Sequence, residues 1–370
     1  MKRSIYLDNA ATTFPKPRSV IKAVKECLSS YCANPGRSTH RMALLCAEKM
    51  YETRERVSEF LCMNAPEKII FTPNATHALN MSIKGLIRAR CHVITSDVEH
   101  NSVIRPLHTV SKKLGVEISR FDTDKPLEAA ISPLIRNDTA FIVASAASNV
   151  TGKALDLAAL SRIAKKYSLI TILDASQYLG HLQLNLQSTP FDVVCAPGHK
   201  GLLGIQGGGI MAINSDVNIK TLLEGGSGGD TFNTEMPQYL PERYEAGTQC
   251  LPAIVGLGAG IEHLQSLGMD YVSSRMTSLT SLLEEYLIEA GAVIYGCYNG
   301  IASFEIPGIS SNDLASRLDD DGIAVRSGLH CAPLTHKKLG TDDRGLVRAS
   351  ISIFNTEKDL YKLYKSLKRH

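Results

Sequence analysis

Lys200 stands in Cys195-Ala-Pro-Gly-His-Lys-Gly-Leu-Leu-Gly-Ile-Gln-Gly-Gly-Gly209, where five of the nine residues from Gly201 to Gly209 are glycine. A short apolar run, Phe191 to Ala196, delivers the lysine into backbone that can approach a ligand closely and adopt positive φ. An amine partly desolvated there, beside a second potential cation at His199, has its pKa pushed down and can form a Schiff base with an aldehyde. Taken alone, the stretch reads more readily as a glycine-rich turn around a solvated lysine. Residues elsewhere in the chain decide between the two.

Asp174, in Ile172-Leu-Asp-Ala-Ser-Gln177, ends an apolar run, where a carboxylate can pair with a protonated heteroaromatic nitrogen; capping of the next turn is an equal alternative. Thr72-Pro-Asn-Ala-Thr76 opens a helical pattern. Backbone N–H groups and a hydroxyl at a helix N-terminus suit a phosphate, and plain N-capping by Thr76 looks the same in sequence. His100, in Asp97-Val-Glu-His100, can stack on a flat ring and exchange protons with a substrate above it. Asn149, in Ser148-Asn-Val-Thr-Gly152, offers an amide to a phenolate oxygen or else forms a turn. Cys331, in Arg326-Ser-Gly-Leu-His-Cys331-Ala-Pro, lies near two potential cations, Arg326 and His330. Such surroundings raise a thiol's thiolate fraction. Arg348 sits inside the apolar run Leu346-Val-Arg-Ala-Ser350; a guanidinium costs too much to bury unpaired, so it holds a carboxylate of the protein or of a substrate.

These residues fall at the ends of short β-branched runs. Candidate strands are 68–72, 92–96, 116–121, 140–145, 168–173, 191–195 and 208–213, with helical patterns between them near 76–88, 101–114, 126–136 and 155–167. The alternation predicts an α/β fold with a mainly parallel seven-stranded sheet covered by helices, its ligand at the carboxyl ends of the strands. Residues 214–250, rich in Gly, Thr, Pro and Glu, break the pattern, and a loop of that length is functional or at an interface. Helical patterns at 252–267 and 269–290, a strand at 301–306, a helix from Ser311 and a last helix N-capped by Thr356 describe a smaller α+β unit. At 370 residues two cored units are expected: a large domain, 16–250, and a small domain made of 1–15 and 251–370.

The net charge is +3 and no block of like charge stands out, so neither nucleic acid nor an anionic membrane is an expected partner. The N-terminal residues contain no apolar leader, and no stretch reaches the length of a membrane span; a cytoplasmic location is expected. Nine cysteines without a C-x-x-C pair resemble neither a disulfide framework nor a zinc site, and no metal is expected.

In this order, the motifs S-N-V-x-G, D-x-x-Q, G-H-K, E-A-G-T and R-x-G-x-H-C-A resemble those of fold-type I pyridoxal-phosphate enzymes. Within them the likeness is to the cysteine desulfurase and selenocysteine lyase branch of the class V aminotransferases. It runs from Tyr6-Leu-Asp-Asn-Ala-Ala-Thr-Thr13 to Phe354-Asn-Thr356. The resemblance implies pyridoxal 5′-phosphate held by Lys200 as a Schiff base, with His100 stacked on its ring. Asp174 would pair with the pyridine nitrogen and Gln177 with the phenolate oxygen, Asn149 lying near both. The phosphate would lie against Ala75 and Thr76, with His199 nearby. Tyr244-Glu-Ala-Gly-Thr248 matches a segment that reaches the phosphate from a second subunit, which implies a homodimer whose Thr248 completes the neighbouring site.

Arg348, with Asn149 and Arg326, would bind the substrate, and Asn34 and His40 match the segment lining its entrance. Cys331 would take the sulfur of L-cysteine as a persulfide, releasing L-alanine, and pass it to an acceptor protein or thiol. The resemblance places that step in sulfur metabolism, iron–sulfur cluster assembly being one destination. The alternatives are a selenocysteine lyase, or another class V aminotransferase or β-lyase in which Cys331 is not essential. Two positions depart from the family pattern. Pro197 stands where many members have a phosphate-binding serine, and proline has neither hydroxyl nor N–H. Leu329 stands where relatives often have histidine, in a short loop resembling that of the branch with a restrained cysteine, which implies slow basal turnover and dependence on an accessory acceptor.

Overall fold

The computed structural model describes residues 4–35, 39–228 and 232–369. A short strand β1 (Ile5–Tyr6) precedes α1 (Arg18–Glu26), which continues into a π-helical turn (Cys27–Tyr31), and then α2 (Arg41–Phe60). The two helices differ in how regularly their apolar side chains are spaced, α1 being amphipathic and α2 much less so. Val20 is the buried residue of α1, and α2 buries Thr53, Arg54 and Ser58 among its apolar side chains.

From Ile69 the alternation expected from sequence follows. Its elements are β2 (Ile69–Thr72), α3 (Ala75–Leu86), β3 (His92–Ser96), α4 (Asn101–Leu114), β4 (Glu117–Phe121) and α5 (Leu127–Ile131). Next come β5 (Thr139–Ser145), α6 (Leu157–Lys166), β6 (Ile170–Asp174), β7 (Val193–Pro197) and β8 (Gly209–Ile213). The strands form a seven-stranded sheet in the order β2-β8-β7-β6-β5-β3-β4. Within it β8 runs antiparallel to β7 and β2, and the other neighbours pair in parallel. Alternate side chains feed two cores on the two faces. Ile69, Phe71, Ile94, Leu173 and Val194 enter one, and Ile70, Val93, Ile172 and Val193 the other. Burial on both faces is why these strands read as unbroken apolar runs.

Several boundaries differ from the expectation, and two of them have a local cause. The helix expected over 126–136 ends at Ile131 and tightens into a 3-10 turn at Ser132–Leu134, because Pro133 has no N–H to continue the ladder. The strand expected at 191–195 runs instead from Val193 to Pro197. Ahead of it, the Asp192 carboxylate accepts from the backbone N and the hydroxyl of Thr171, both at 2.8 Å, so side-chain bonds replace the ladder there.

Among the described residues of 214–250 no helix or strand forms. Beyond them lie α7 (Leu251–Leu267), α8 (Met269–Glu289), β9 (Val293–Tyr298), β10 (Ile301–Glu305), α9 (Ser311–Asp320) and β11 (Ile323–Ala324). The chain closes with β12 (Arg326–Gly328), α10 (Pro333–Leu339), β13 (Leu346–Ser350) and α11 (Glu357–Leu367). A four-stranded antiparallel sheet runs β12-β13-β10-β9, and β1 pairs in parallel with β11, tying the first residues to the last third of the chain. Thr356 caps α11 through a reciprocal capping box with Asp359. No helix among the described residues is long and apolar enough to cross a membrane.

Candidate active site

The carboxyl ends of five strands of the large sheet converge on one cavity, the place where parallel α/β sheets receive ligands. Ala75 and Thr76 follow β2, His100 follows β3, Asn149 follows β5, Asp174 and Gln177 close β6, and His199 and Lys200 follow β7; all eight line it. Each position has a local cause. Asn74 N-caps α3, its Oδ1 accepting from the N–H of His77 at 2.9 Å, and the first-turn N–H groups of the helix lack intrahelical acceptors. A Cβ on Gly209, at the start of β8, would stand 2.8 Å from the Asn74 backbone, so only glycine lets that turn lie against the sheet. The buried Glu99 accepts from the Ser145 backbone N at 2.9 Å and the Ser145 hydroxyl at 2.6 Å, fastening the turn before His100 to the end of β5. His100 then caps α4 by accepting from the N–H of Ser102 at 3.0 Å.

The glycines after Lys200 serve close approach more than positive φ, which corrects the reading of that stretch. A Cβ on Gly201 would sit 2.1 Å from the Leu179 carbonyl oxygen, whereas of the glycines from 198 to 209 Gly207 is the one with positive φ. Leu203 adopts φ 63° without being glycine.

Desolvation pushes Lys200 down to about 8; Asp174 pulls it back up, and Arg348 and Arg326 push it further down. His199 is not the expected second cation. Burial, and then Lys200 itself, hold His199 down at about 4, so its ring is neutral. Asp174 is buried and accepts from the Ser176 N–H at 3.0 Å and from the Ser176 hydroxyl. Gln177 donates one amide hydrogen to the Ala10 carbonyl at 2.9 Å, leaving its second for the cavity.

Arg326 and Arg348 are register partners on β12 and β13, which places two guanidiniums side by side beyond Lys200. Arg348, 1% exposed, donates from Nη2 to Asp8 at 2.9 Å and from Nη1 to the Asn149 carbonyl at 2.9 Å. The carboxylate that sequence demanded is therefore supplied in part by Asp8. Three buried polar atoms in this cluster have no partner among the described residues: Asn149 Oδ1, His199 Nδ1 and Arg348 Nε.

The Cys331 loop docks directly onto this cluster. The Asn149 amide donates to the His330 carbonyl at 2.7 Å, and the N–H of Asn101, next to His100, donates to the Cys331 carbonyl at 2.8 Å. Arg326 Nη2 lies 3.9 Å from the Cys331 thiol. His330, expected as a second cation there, is held at about 3 by burial and then by Arg348. Its neutral ring stacks on His336 with 5.4 Å between centroids.

Asn34, His40 and Thr248 lie apart from the Lys200 cavity. Asn34 Nδ2 is 3.4 Å from Thr248 Oγ1 on an exposed part of the chain, and His40 caps α2 by accepting from the N–H of Ala43 at 3.2 Å. Behind Thr248, Glu245 forms a buried ion pair with Arg54 and accepts from the N–H of Phe71 at 2.6 Å. Sequence reasoning assigned no role to Asp8, Ser102, Ser176 or Arg54. Asp8 lay within a motif quoted for the resemblance, and Ser102 lay two residues past His100 at a helix start. Pro197 lines the cavity, and the hydroxyls of Thr76 and Ser102, 2.8 Å apart, stand beside the α3 N-terminus where a serine at 197 would have added a third.

A family model described as aminotransferase class-V matches residues 5–363. The protein of Pyrococcus abyssi named "Probable cysteine desulfurase" is 31% identical over 389 residues, covering 98% of this chain and 95% of that protein. "Cysteine desulfurase IscS" of Dictyoglomus turgidum is 30% identical, covering 97% and 92%. Among solved structures, the apo cysteine desulfurase of Thermococcus onnurineus NA1 superposes with a TM-score of 0.91 at 29% identity, covering 99% of this chain and 94% of that one. Likeness of this extent takes in both sheets and the cavity at the carboxyl ends of the larger one, and the chain belongs to the class V aminotransferase family, which depends on pyridoxal phosphate.

Proposed function

We propose that this chain is a cysteine desulfurase: it converts L-cysteine to L-alanine and carries the sulfur as a persulfide on Cys331. The observation that carries the reading is the docking of the Cys331 loop onto Asn149, which lines the Lys200 cavity, and onto Asn101, next to His100. A cofactor constellation alone serves aminotransferases and lyases equally, so the thiol is what discriminates.

The residues fit pyridoxal phosphate: an amine held near 8, a buried carboxylate, a helix N-terminus with two hydroxyls beside it, and buried polar atoms without partners among the described residues. Lys200 would hold its aldehyde carbon, Asp174 its ring nitrogen, Gln177 and Asn149 its phenolate oxygen, and Ala75 and Thr76 its phosphate, with His199 nearby and His100 against the ring. When bound, pyridoxal phosphate supplies an electron sink that acidifies the substrate α-carbon. Arg348 Nε and the neighbouring Arg326 bind the substrate carboxylate. Lys200, with a large neutral fraction near pH 8, takes and returns the proton at the α-carbon through Nζ. The Cys331 thiolate attacks the substrate sulfur; the S–S bond forms as the Cβ–S bond breaks, and protonation of the electron pair left on carbon yields alanine. The persulfide then passes to an acceptor protein or thiol.

The same reading makes the enzyme a homodimer in which Thr248 reaches the neighbouring site. Exposed Ile21, Leu28, Leu44, Tyr51, Leu223 and Tyr239, on α1, the π-helical turn, α2 and the 214–250 segment, support such an interface. It also divides the chain into a large domain, 16–250, and a small domain of 1–15 with 251–370.

The test compares wild type with Cys331→Ala, each loaded with pyridoxal phosphate and given L-cysteine under a reducing thiol. Wild type should release alanine and sulfide in equal amounts, and the variant neither, while keeping the cofactor's absorbance. Equal activity of the two proteins would remove Cys331 from the chemistry and sink the proposal.

A further inference from the structure

The helix that follows Cys331 is held by a charge cluster that the proposed chemistry does not use. α10 begins two residues after the thiol, and Lys338 near its end reaches into a cage of three carboxylates. Its Nζ lies 2.7 Å from Asp97, 2.8 Å from Asp122 and 2.9 Å from Asp124, with the Thr123 hydroxyl at 3.1 Å. Asp97 follows β3 and the other two follow β4, so the cage belongs to the large sheet. The lysine belongs to the segment between β12 and β13 of the small sheet. Lys153 also reaches Asp124, at 3.0 Å, and Lys125 lies 3.9 Å from Asp122. Among the described residues Lys338 is the cation shared by all three acids, and it fastens the Cys331 segment across the two sheets.

The loop this helix anchors requires anchoring. His330 at φ 50° and Cys331 at φ 58° are consecutive non-glycine residues in the left-handed region. Such residues persist only where their surroundings over-determine them. Asn149 and Asn101 hold the two carbonyls from the cavity side. On the other side the hold comes from α10: His336, wholly buried, stacks on His330 and is itself fixed by the Thr341 hydroxyl at 2.8 Å, and Lys338 pins the last turn.

Resting on the reading of Cys331 as sulfur acceptor, we propose that Lys338, caged by Asp97, Asp122 and Asp124, is the positioning residue that holds the Cys331 loop against the site for persulfide formation. It acts through α10, since its own contacts are the cage. The hold is electrostatic and partly open to water, with Lys338 21% exposed, so salt weakens it.

The experiment uses the holoenzyme in three forms, wild type, Lys338→Met and Lys338→Arg, with single-turnover persulfide formation on Cys331 read by alkylation and mass spectrometry. Lys338→Met should keep the cofactor absorbance and bind L-cysteine within about twofold of wild type, yet form persulfide at least tenfold more slowly; Lys338→Arg should recover most of the rate. Raising salt from 0.05 to 0.5 M should slow wild type and leave Lys338→Met unchanged. Hydrogen exchange of the 326–339 segment should rise in Lys338→Met, a readout that does not depend on the chemistry. If Lys338→Met does not fold, Asp124→Asn, at an exposed member of the cage, should show a smaller loss of the same kind. A wild-type persulfide rate in Lys338→Met, or unchanged exchange in that segment, overturns the proposal. A wild type that forms no persulfide while exchange still rises in the variant overturns the Cys331 reading and leaves the clamp standing.

Discussion

Lys200 should destabilise the cofactor-free protein that depends on it. Its folded-state pKa is about 8 against an ordinary lysine value of 10.5, chiefly because the amine is desolvated. Below pH 8 the folded chain carries a protonated amine in a site that disfavours it, while the unfolded chain carries the same charge in water. At about 1.4 kcal/mol per pH unit, the difference costs roughly 3 kcal/mol, the upper end because Lys200 also opens onto the cavity. The sign follows from proton binding: between pH 8 and 10.5 the unfolded state binds more protons, so the penalty shrinks as pH rises through that window and vanishes above it. Cofactor-free Lys200→Met should therefore be more stable than cofactor-free wild type by up to about 3 kcal/mol at pH 7 and by about 1 kcal/mol at pH 10. Asp174 keeps its two Ser176 donors in the variant, so removing the lysine does not leave that carboxylate bare. Urea denaturation of both proteins across pH 7 to 10 measures the gap. A variant no more stable at pH 7, or a gap that does not change with pH, would refute the reasoning.

His181, His199 and His330 are held at about 4, 4 and 3, first of all by burial, so their folded forms are neutral. Above pH 6.5 they contribute nothing to the pH dependence; as pH falls below it the unfolded chain gains protons first, and each should cost roughly 2 kcal/mol by pH 5. Denaturant midpoints at pH 7 and pH 5 check this, and an unchanged midpoint would contradict it. Arg54→Met leaves the buried Glu245 carboxyl without its cation, which should cost about 3–5 kcal/mol in denaturant unfolding. Adding Glu245→Gln should recover part of that loss, and a single-variant loss below about 1 kcal/mol would show the pair to be energetically idle.

The site was legible in sequence where chemistry coincides with a strong local signal. Asp174 ends, and Asn149, His100 and Lys200 follow, strands buried on both faces, and such strands read as apolar runs with abrupt ends. The strand order was not legible, because parallel pairing joins residues far apart in the chain and leaves no local mark. Nor was α2, whose buried face includes Thr53, Arg54 and Ser58 and so blurs the helical period. Arg54 illustrates the difficulty: a charged residue on a helix reads as solvent-facing until Glu245, remote in sequence, is brought against it.

The errors over His199 and His330 share one physical cause. Residue type states that an imidazole can be a cation; it does not state whether water will be there to stabilise the charge. In this fold both rings are enclosed, His199 beside Lys200 and His330 beside Arg348, so the neutral form prevails, and the lasting positive charge of the site rests on Arg326 and Arg348 instead. That redistribution matters for the chemistry. Guanidiniums keep their charge across the working pH range, so the attraction they offer a substrate carboxylate is steady, whereas histidine cations would have made it fade above pH 6.5. With the charge of the anion site fixed, Lys200, held at about 8, titrates near neutrality beside it, and the pH dependence of turnover should follow the amine that moves the proton.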